Sequence, residues 1–215
     1  KYNYSQLGVN SIETQNVDGI RFLKQNNKRV DWIYADPSRR HDSKGKVFFL
    51  NDCLPNIPEQ LDTLFNYTKN VMIKTSPLLD LSATLSDLND VKEVHIIAVN
   101  NEVKELLWIL EKGYSEDISI ETVNIKANDK KQFSFKLQTE SHIDVKYSLP
   151  LNYLYEPNSA ILKSGGFHQI SQQLKIFKST RLPRLQKAQA RNDGFYLERN
   201  RPIKLKNSVF KDCCN

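Results

Sequence analysis

Val30-Asp31-Trp32-Ile33-Tyr34-Ala35-Asp36-Pro37-Ser38-Arg39-Arg40 reads as a strand that runs into an acid-proline turn and two arginines. Apolar and aromatic residues run together here instead of alternating, which is the pattern of a strand buried on both faces of a parallel sheet. Pro37 has no N–H to give a ladder, so the backbone turns there and presents Asp36 at the strand's carboxyl end. In open α/β sheets, ligands bind outside that end.

Working outward, residues 1–9 read as the end of a helix closed by Gly8 in a left-handed cap. Residues 11–17 alternate as a strand, Asp18-Gly19 makes a turn, and Ile20, Phe22 and Leu23 give a short helix its apolar face. With 30–35 this predicts a β-α-β unit whose strands are parallel by right-handed crossover. Downstream, 41–56 is a polar loop. Helices are predicted at 58–67, with Pro58 in the first turn, at 78–88, and at 101–110, where Val103, Leu106, Leu107, Ile109 and Leu110 would be buried. Strands are predicted at 71–73 and 94–99. From Ile118 the period becomes two, predicting a hairpin of 118–124 and 133–137 that turns at Asn128-Asp129, then an extended segment at 143–149. Pro157-Asn158 opens a short helix, Gly165-Gly166 breaks it, and 167–174 is another. The expected fold is α/β, an incomplete Rossmann-like sheet, mostly parallel, with a small β-rich or α+β C-terminal region.

Asp36-Pro37-Ser38-Arg39 resembles the fourth motif of class I S-adenosylmethionine-dependent methyltransferases, commonly Asp/Asn-Pro-Pro followed by an aromatic. The stretches 71–80 and 94–107 are similar to the next two strands of bacterial members with a C-terminal THUMP-like domain. The resemblance covers residues 1 to about 178. It implies S-adenosylmethionine as methyl donor and RNA as substrate. It also implies a division into 1–115, the C-terminal part of the methyltransferase domain, a β-rich appendage at 116–150, a small α/β region at 151–178, and a basic tail at 179–215 left from the THUMP-like domain. Such enzymes order their strands 3-2-1-4-5-7-6, with 11–17 and 30–35 resembling the third and fourth. The glycine-rich donor loop and the ribose-binding acid lie on the first two strands and are missing, so the chain is expected to be a fragment. The missing initiator methionine and the mid-helix start agree. The expected consequence is that 11–17 and 30–35 close up and pair directly.

The bulk numbers are those of an ordinary folded protein, 39% hydrophobic and 26% charged over 215 residues. No apolar run approaches the roughly 18 residues a membrane span needs, and no secretory signal is evident. Cys53, Cys213 and Cys214 make neither a disulfide framework nor a zinc site, which points to a reducing cytoplasm. The net charge of +6 lies wholly in residues 179–215, where nine Lys/Arg face Asp193, Glu198 and Asp212. A basic terminal segment is the footprint of a polyanion partner, or else a solvated tail.

Asp36 is the first candidate for chemistry. In amino-group methylation its carboxylate and the Pro37 carbonyl would accept the two hydrogens of the target nitrogen; the structural alternative is an acid capping the turn. Ser38 stands where the resemblance expects a second proline, and Arg39 where it expects a stacking aromatic. Arg39 and Arg40 suit phosphate contacts, or pair with Asp31 or Asp42. Asp18 is placed by the resemblance as a donor-binding acid, or is a plain turn residue. Lys74 and Ser76 would line the same rim as substrate contacts, with Thr75 and Ser76 alternatively capping the following helix. Tyr153, Tyr155 and Phe167 beside Lys163 are stacking residues or core. The four histidines have no partners at metal-ligand spacing. The other function class that fits is a non-catalytic RNA-binding module.

Overall fold

A computed structural model describes residues 2–9, 11–39, 49–127, 129–148, 153–179, 186–188 and 201–202. Helix α1 (Tyr2–Gln6) leads to Gly8, whose φ of +67° is the left-handed closure expected of it. Residues 11–17 are not a strand. They run as irregular chain, with Ile12 and Val17 exposed, and join no sheet among the described residues. Alternation alone does not make a strand, because the ladder needs a partner edge and an apolar face to bury. Helix α2 (Gly19–Asn26) follows, with Ile20 and Leu23 against the core margin.

Strand β1 (Trp32–Ala35) begins the main sheet. Ser38–Arg39 (β2) then pairs antiparallel with Cys53–Leu54 (β3), closing the loop between them. Helix α3 (Ile57–Phe65) is capped by Asn56 and carries Pro58 in its first turn, where the missing N–H is harmless. Its buried residues Ile57, Leu61, Leu64 and Phe65 repeat at helical spacing. Next come β4 (Asn70–Thr75), α4 (Leu81–Asp87) and β5 (Val91–Val99).

Residues 101–110 are a strand, not the expected helix. Strand β6 (Glu102–Glu111) pairs antiparallel with both β5 and β4. Asn100 and Asn101, at φ of 50° and 63°, turn the chain in two residues. Two successive left-handed residues form the hairpin turn that matches strand twist, and Asn tolerates them. The apolar residues of 103–110 fit either period; the turn decides between them. Leu106, Trp108 and Leu110 face the core and are fully buried.

The hairpin of β7 (Ser119–Lys126) and β8 (Asp129–Lys136) does not stand apart as an appendage. β7 pairs parallel with β5, so the main sheet runs β1-β4-β6-β5-β7-β8, and the boundary expected near 115 lies within it. Asp129 pairs with Lys126 within the strand and is not part of the turn expected at Asn128-Asp129. β1, β4, β5 and β7 point one way, and β6 and β8 the other.

A second sheet follows α5 (Leu137–His142). It comprises β9 (Tyr147–Ser148), β10 (Tyr153–Tyr155), β11 (Phe177–Ser179), β12 (Gln186–Ala188) and β13 (Arg201–Pro202), in the order β13-β10-β12-β11-β9. Between β10 and β11 lie α6 (Ser159–Ser164), capped by Asn158 and closed by left-handed Gly165, and α7 (Phe167–Gln173). Gly166 permits a close approach, since a Cβ there would stand 2.6 Å from the Phe135 ring. Residues 179–215 are described only at 179 and in β12 and β13; the expectations for the basic tail's charge lie outside the described residues.

One face of the main sheet carries the core. Val71, Ile73, Val94, Ile96, Leu106, Trp108, Leu110, Ile120, Phe133 and Phe135 pack there with Leu50, α3 and α6. β1 is an edge strand, not the doubly buried strand expected. Ile33 and Ala35 pack on the core, but Trp32 is 49% and Tyr34 57% exposed. Trp32 and Tyr34 project from the face opposite the core, and the outer side of β1 has no strand partner among the described residues.

Candidate active site

Parallel pairing of β1 and β4 brings their carboxyl ends together, and the reversed direction of β6 brings its beginning to the same rim. Three charged side chains meet there. The Lys74 ammonium lies 2.8 Å from Asp36 Oδ2 and 3.7 Å from Glu105 Oε2. The hydrogen bond to Asp36 above all, with the charges of Glu105 and Asp36 adding and partial burial opposing, holds Lys74 above the ordinary lysine value. The Asp36 carboxyl is half exposed and Lys74 less so. Among the described residues, the partner of Asp36 is Lys74 and not a backbone N–H, so the capping alternative finds no hydrogen bond here. Tyr34 stands on the same side of β1 as Asp36 and contributes to the field at Lys74.

Asp36 and Lys74 are thus brought to one rim, with Pro37 following Asp36. Ser76, just beyond β4, accepts from the Leu78 N–H at 3.3 Å and shapes the turn. The cap of the next helix is Asp80, which accepts from the Ala83 N–H at 2.8 Å, and not Thr75 or Ser76. Thr75 points inward and takes the Trp108 indole N–H at 2.9 Å. Ser38 and Arg39 form β2, and Ser38 is exposed. The side chain of Arg39, and all of Arg40, lie outside the described residues. Glu105 was not among the expected residues, because it comes from the strand that reads as a helix. Asn100-Asn101 was the signal that would have placed it.

The Asp18 carboxylate caps α2 by accepting from the Arg21 N–H at 2.8 Å, at an exposed position. A cavity of about 500 Å³ is lined by Arg29, Tyr67, Thr68, Lys69 and Lys112, among others, and one of about 360 Å³ by Asp144, Lys146, Gln172 and Lys175, among others; neither includes Asp18, Asp36 or Lys74. No group of three or more potential metal ligands occurs among the described residues.

Of the remaining basic and aromatic candidates, the side chain of Tyr153 lies outside the described residues and Phe167 is partly buried. Tyr155 is fully buried. The Lys163 ammonium donates to the Leu79 carbonyl at 2.7 Å, tying α6 to the segment after β4, and burial pushes it down. Lys178 is 4% exposed, its ammonium 5.8 Å from the Tyr147 ring centre and 5.9 Å from that of Phe167; burial lowers it too. Among the described residues, no helix is long and apolar enough to cross a membrane.

Comparison with known proteins adds two findings. A family model described as a ferredoxin-like domain matches residues 153–180, in the second sheet. The crystal structure of a putative methyltransferase from Porphyromonas gingivalis W83 matches with a TM-score of 0.73 and 27% identity, over 90% of this chain and 50% of that one. The chain spans about half the length of the solved structure it matches. No curated protein matches it.

Proposed function

We propose that this chain is the substrate-side part of an S-adenosylmethionine-dependent methyltransferase that acts on RNA. One observation carries the reading: the Asp36-Pro37 turn stands at the carboxyl rim of a sheet whose strands run β1-β4-β6-β5, with β6 reversed. That order corresponds to strands 4-5-7-6 of the class I methyltransferases resembled by the sequence. The likeness to the Porphyromonas gingivalis structure supports it independently, and the ferredoxin-like match in the second sheet is in keeping with an added THUMP-like module.

Each residue at the rim has a part in this reading. The Asp36 carboxylate and the Pro37 carbonyl accept the hydrogens of an exocyclic amine and so aim its lone pair. Lys74, braced by Glu105, fixes the rotamer of Asp36 before substrate arrives. Ser38, Arg39, Arg40 and Ser76 contact the flanking nucleotides. S-adenosylmethionine supplies the methyl group when bound.

The test has two parts. Calorimetry of the 215-residue chain with S-adenosylmethionine should show weak binding or none. In a longer polypeptide that binds the donor, Asp36→Ala should nearly abolish transfer to RNA while leaving the fold and donor binding in place. Unchanged turnover would refute the role of Asp36. RNA binding by the chain with no transfer in any longer form would favour a non-catalytic RNA-binding module.

A further inference from the structure

The cavity of about 500 Å³ lies at the amino ends of β1 and β4, the opposite end of the sheet from Asp36. The length of β1 separates the two sites, roughly 16 Å at about 3.3 Å per residue. Its walls are the entry to β1 (29–31), the turn from α3 into β4 (65–70) and Lys112 just after β6. These three segments are locked to one another. Thr68, 6% exposed, donates its hydroxyl to the Asp31 carbonyl at 2.9 Å and accepts from the Asn70 N–H at 3.1 Å. The Val30 N–H donates to the Tyr67 carbonyl and the Lys112 N–H to that of Lys69, both at 2.9 Å. The Lys112 ammonium donates to the Phe65 carbonyl at 3.1 Å, at the end of α3. A concavity of this size whose walls are fixed beforehand suits a small ligand group, because little ordering is left for binding to cost.

The charge inside it is not neutralised. Three cations and one acid line the cavity, and among the described residues no ion pair joins Asp31 to Arg29, Lys69 or Lys112. Arg29 makes no hydrogen bond or ion pair among the described residues. Lys112 is bonded to a carbonyl, which leaves its charge whole. Lys69 shares Glu111 with Lys92, two ammoniums on one carboxylate. A guanidinium with all its donors unused, beside an ammonium held at a fixed point, is the donor set that phosphate oxygens match.

We propose that this cavity binds a phosphate ester of a nucleotide, free or within a nucleic acid, with Arg29, Lys69 and Lys112 as its contacts. Tyr67 and Asn66, also in the lining, supply an aromatic ring and an amide for the attached nucleoside. The proposal does not rest on the methyltransferase reading. It gives the sheet opposite characters at its two ends: acid exceeds base at the rim of Asp36, Lys74 and Glu105, and base exceeds acid here.

The test uses the full 215-residue chain and nuclear magnetic resonance of its backbone amides at low salt. AMP and an unphosphorylated single-stranded oligoribonucleotide are the probes, with adenosine as the control that lacks phosphate. At least one probe should shift the amides of 29–31, 66–70 and 112 saturably, and adenosine should not. If AMP binds more tightly, the site serves free nucleotides; if the oligoribonucleotide does, it serves backbone phosphates. Arg29→Gln should weaken binding about tenfold or more, the loss of one charge-assisted bond. Arg29→Lys should recover part of that loss. Since Arg29 bonds to no described residue, both variants should keep the far-UV circular dichroism of the wild type. Asp36→Ala should leave this binding unchanged, so failure at this site and failure at the rim are read separately. The proposal is overturned if neither probe shifts these amides, if adenosine shifts them as AMP does, or if Arg29→Gln binds as tightly as wild type. Shifts spread evenly over the exposed lysines of the chain would overturn it equally.

Discussion

Thr75→Val isolates one bond that ties the candidate rim to the core. Thr75 ends β4, next to Lys74, and its hydroxyl oxygen accepts the indole N–H of Trp108 at 2.9 Å. Thr75 is 4% exposed and Trp108 not at all. Valine keeps the shape but removes the acceptor, which leaves the indole N–H buried and unpaired at a cost of about 1–3 kcal/mol. For a domain of this size, 2 kcal/mol corresponds to a fall in Tm of about 4–8 °C. Thr75→Ser is the informative control, because it keeps the hydroxyl and loses one methyl group, about 0.8 kcal/mol of burial plus a small void. Urea denaturation followed by far-UV circular dichroism gives both midpoints, and near-UV circular dichroism reports the indole environment. The expected order is wild type, then serine, then valine. A valine variant as stable as the serine variant would refute the argument, since burial alone favours valine.

Glu111 lies 2.8 Å from both Lys69 and Lys92, whose hydrogen bonds and charges lower its carboxyl from the ordinary 4.5 to about 2. A lowered carboxylate adds stability above its unfolded value that is lost as pH falls through the folded one. Wild type should therefore lose stability relative to Glu111→Gln between pH 4.5 and about 2, with a parallel response if Glu111 is uninvolved. Glu140 accepts from the His168 and Gln169 N–H groups at 2.6 and 2.8 Å, heading α7. Glu140→Ala should cost about 1–2 kcal/mol in the same unfolding assay, as loss of an N-cap does. Lys178→Met should be neutral or stabilising at pH 7, because it relieves a buried ammonium while filling the space between Tyr147 and Phe167; a clear loss of stability would mean that the ring contacts outweigh desolvation.

Local chemistry was legible wherever it is decided within a few residues. Gly8 closes α1, Asn56 and Pro58 start α3, Asn158 and Gly165 bound α6, and Asp36-Pro37 ends β1. What was misread depends on partners remote in sequence. Residues 11–17 alternate as well as many strands do but join no sheet among the described residues. Residues 103–110 satisfy a helical period and a strand period alike, and only the left-handed pair Asn100-Asn101 distinguishes them. Burial of β1 on both faces was inferred from its composition, yet composition says only what a strand would bury if covered. Asp36 and Lys74 were found because each ends a strand; Glu105 was not, because the direction of β6 puts its beginning there.

That direction has a chemical consequence for the proposed function. Had 101–110 been a helix connecting parallel strands, Glu105 would not have lain along a strand beside Lys74, and the rim would hold one acid and one base that cancel. With β6 reversed, Lys74 is shared between Asp36 and Glu105, and the three groups together carry a net negative charge. Such a rim attracts hydrogen-bond donors and repels phosphates. A nucleic acid would therefore have to present a base edge there, with its backbone held farther out, and an exocyclic amine is the base group that offers two N–H donors at one atom. The same arrangement accounts for two acids beside one lysine: while Lys74 holds the orientation of Asp36, Glu105 shares its charge, so the carboxylate retains accepting capacity for the substrate instead of being consumed by a tight one-to-one ion pair.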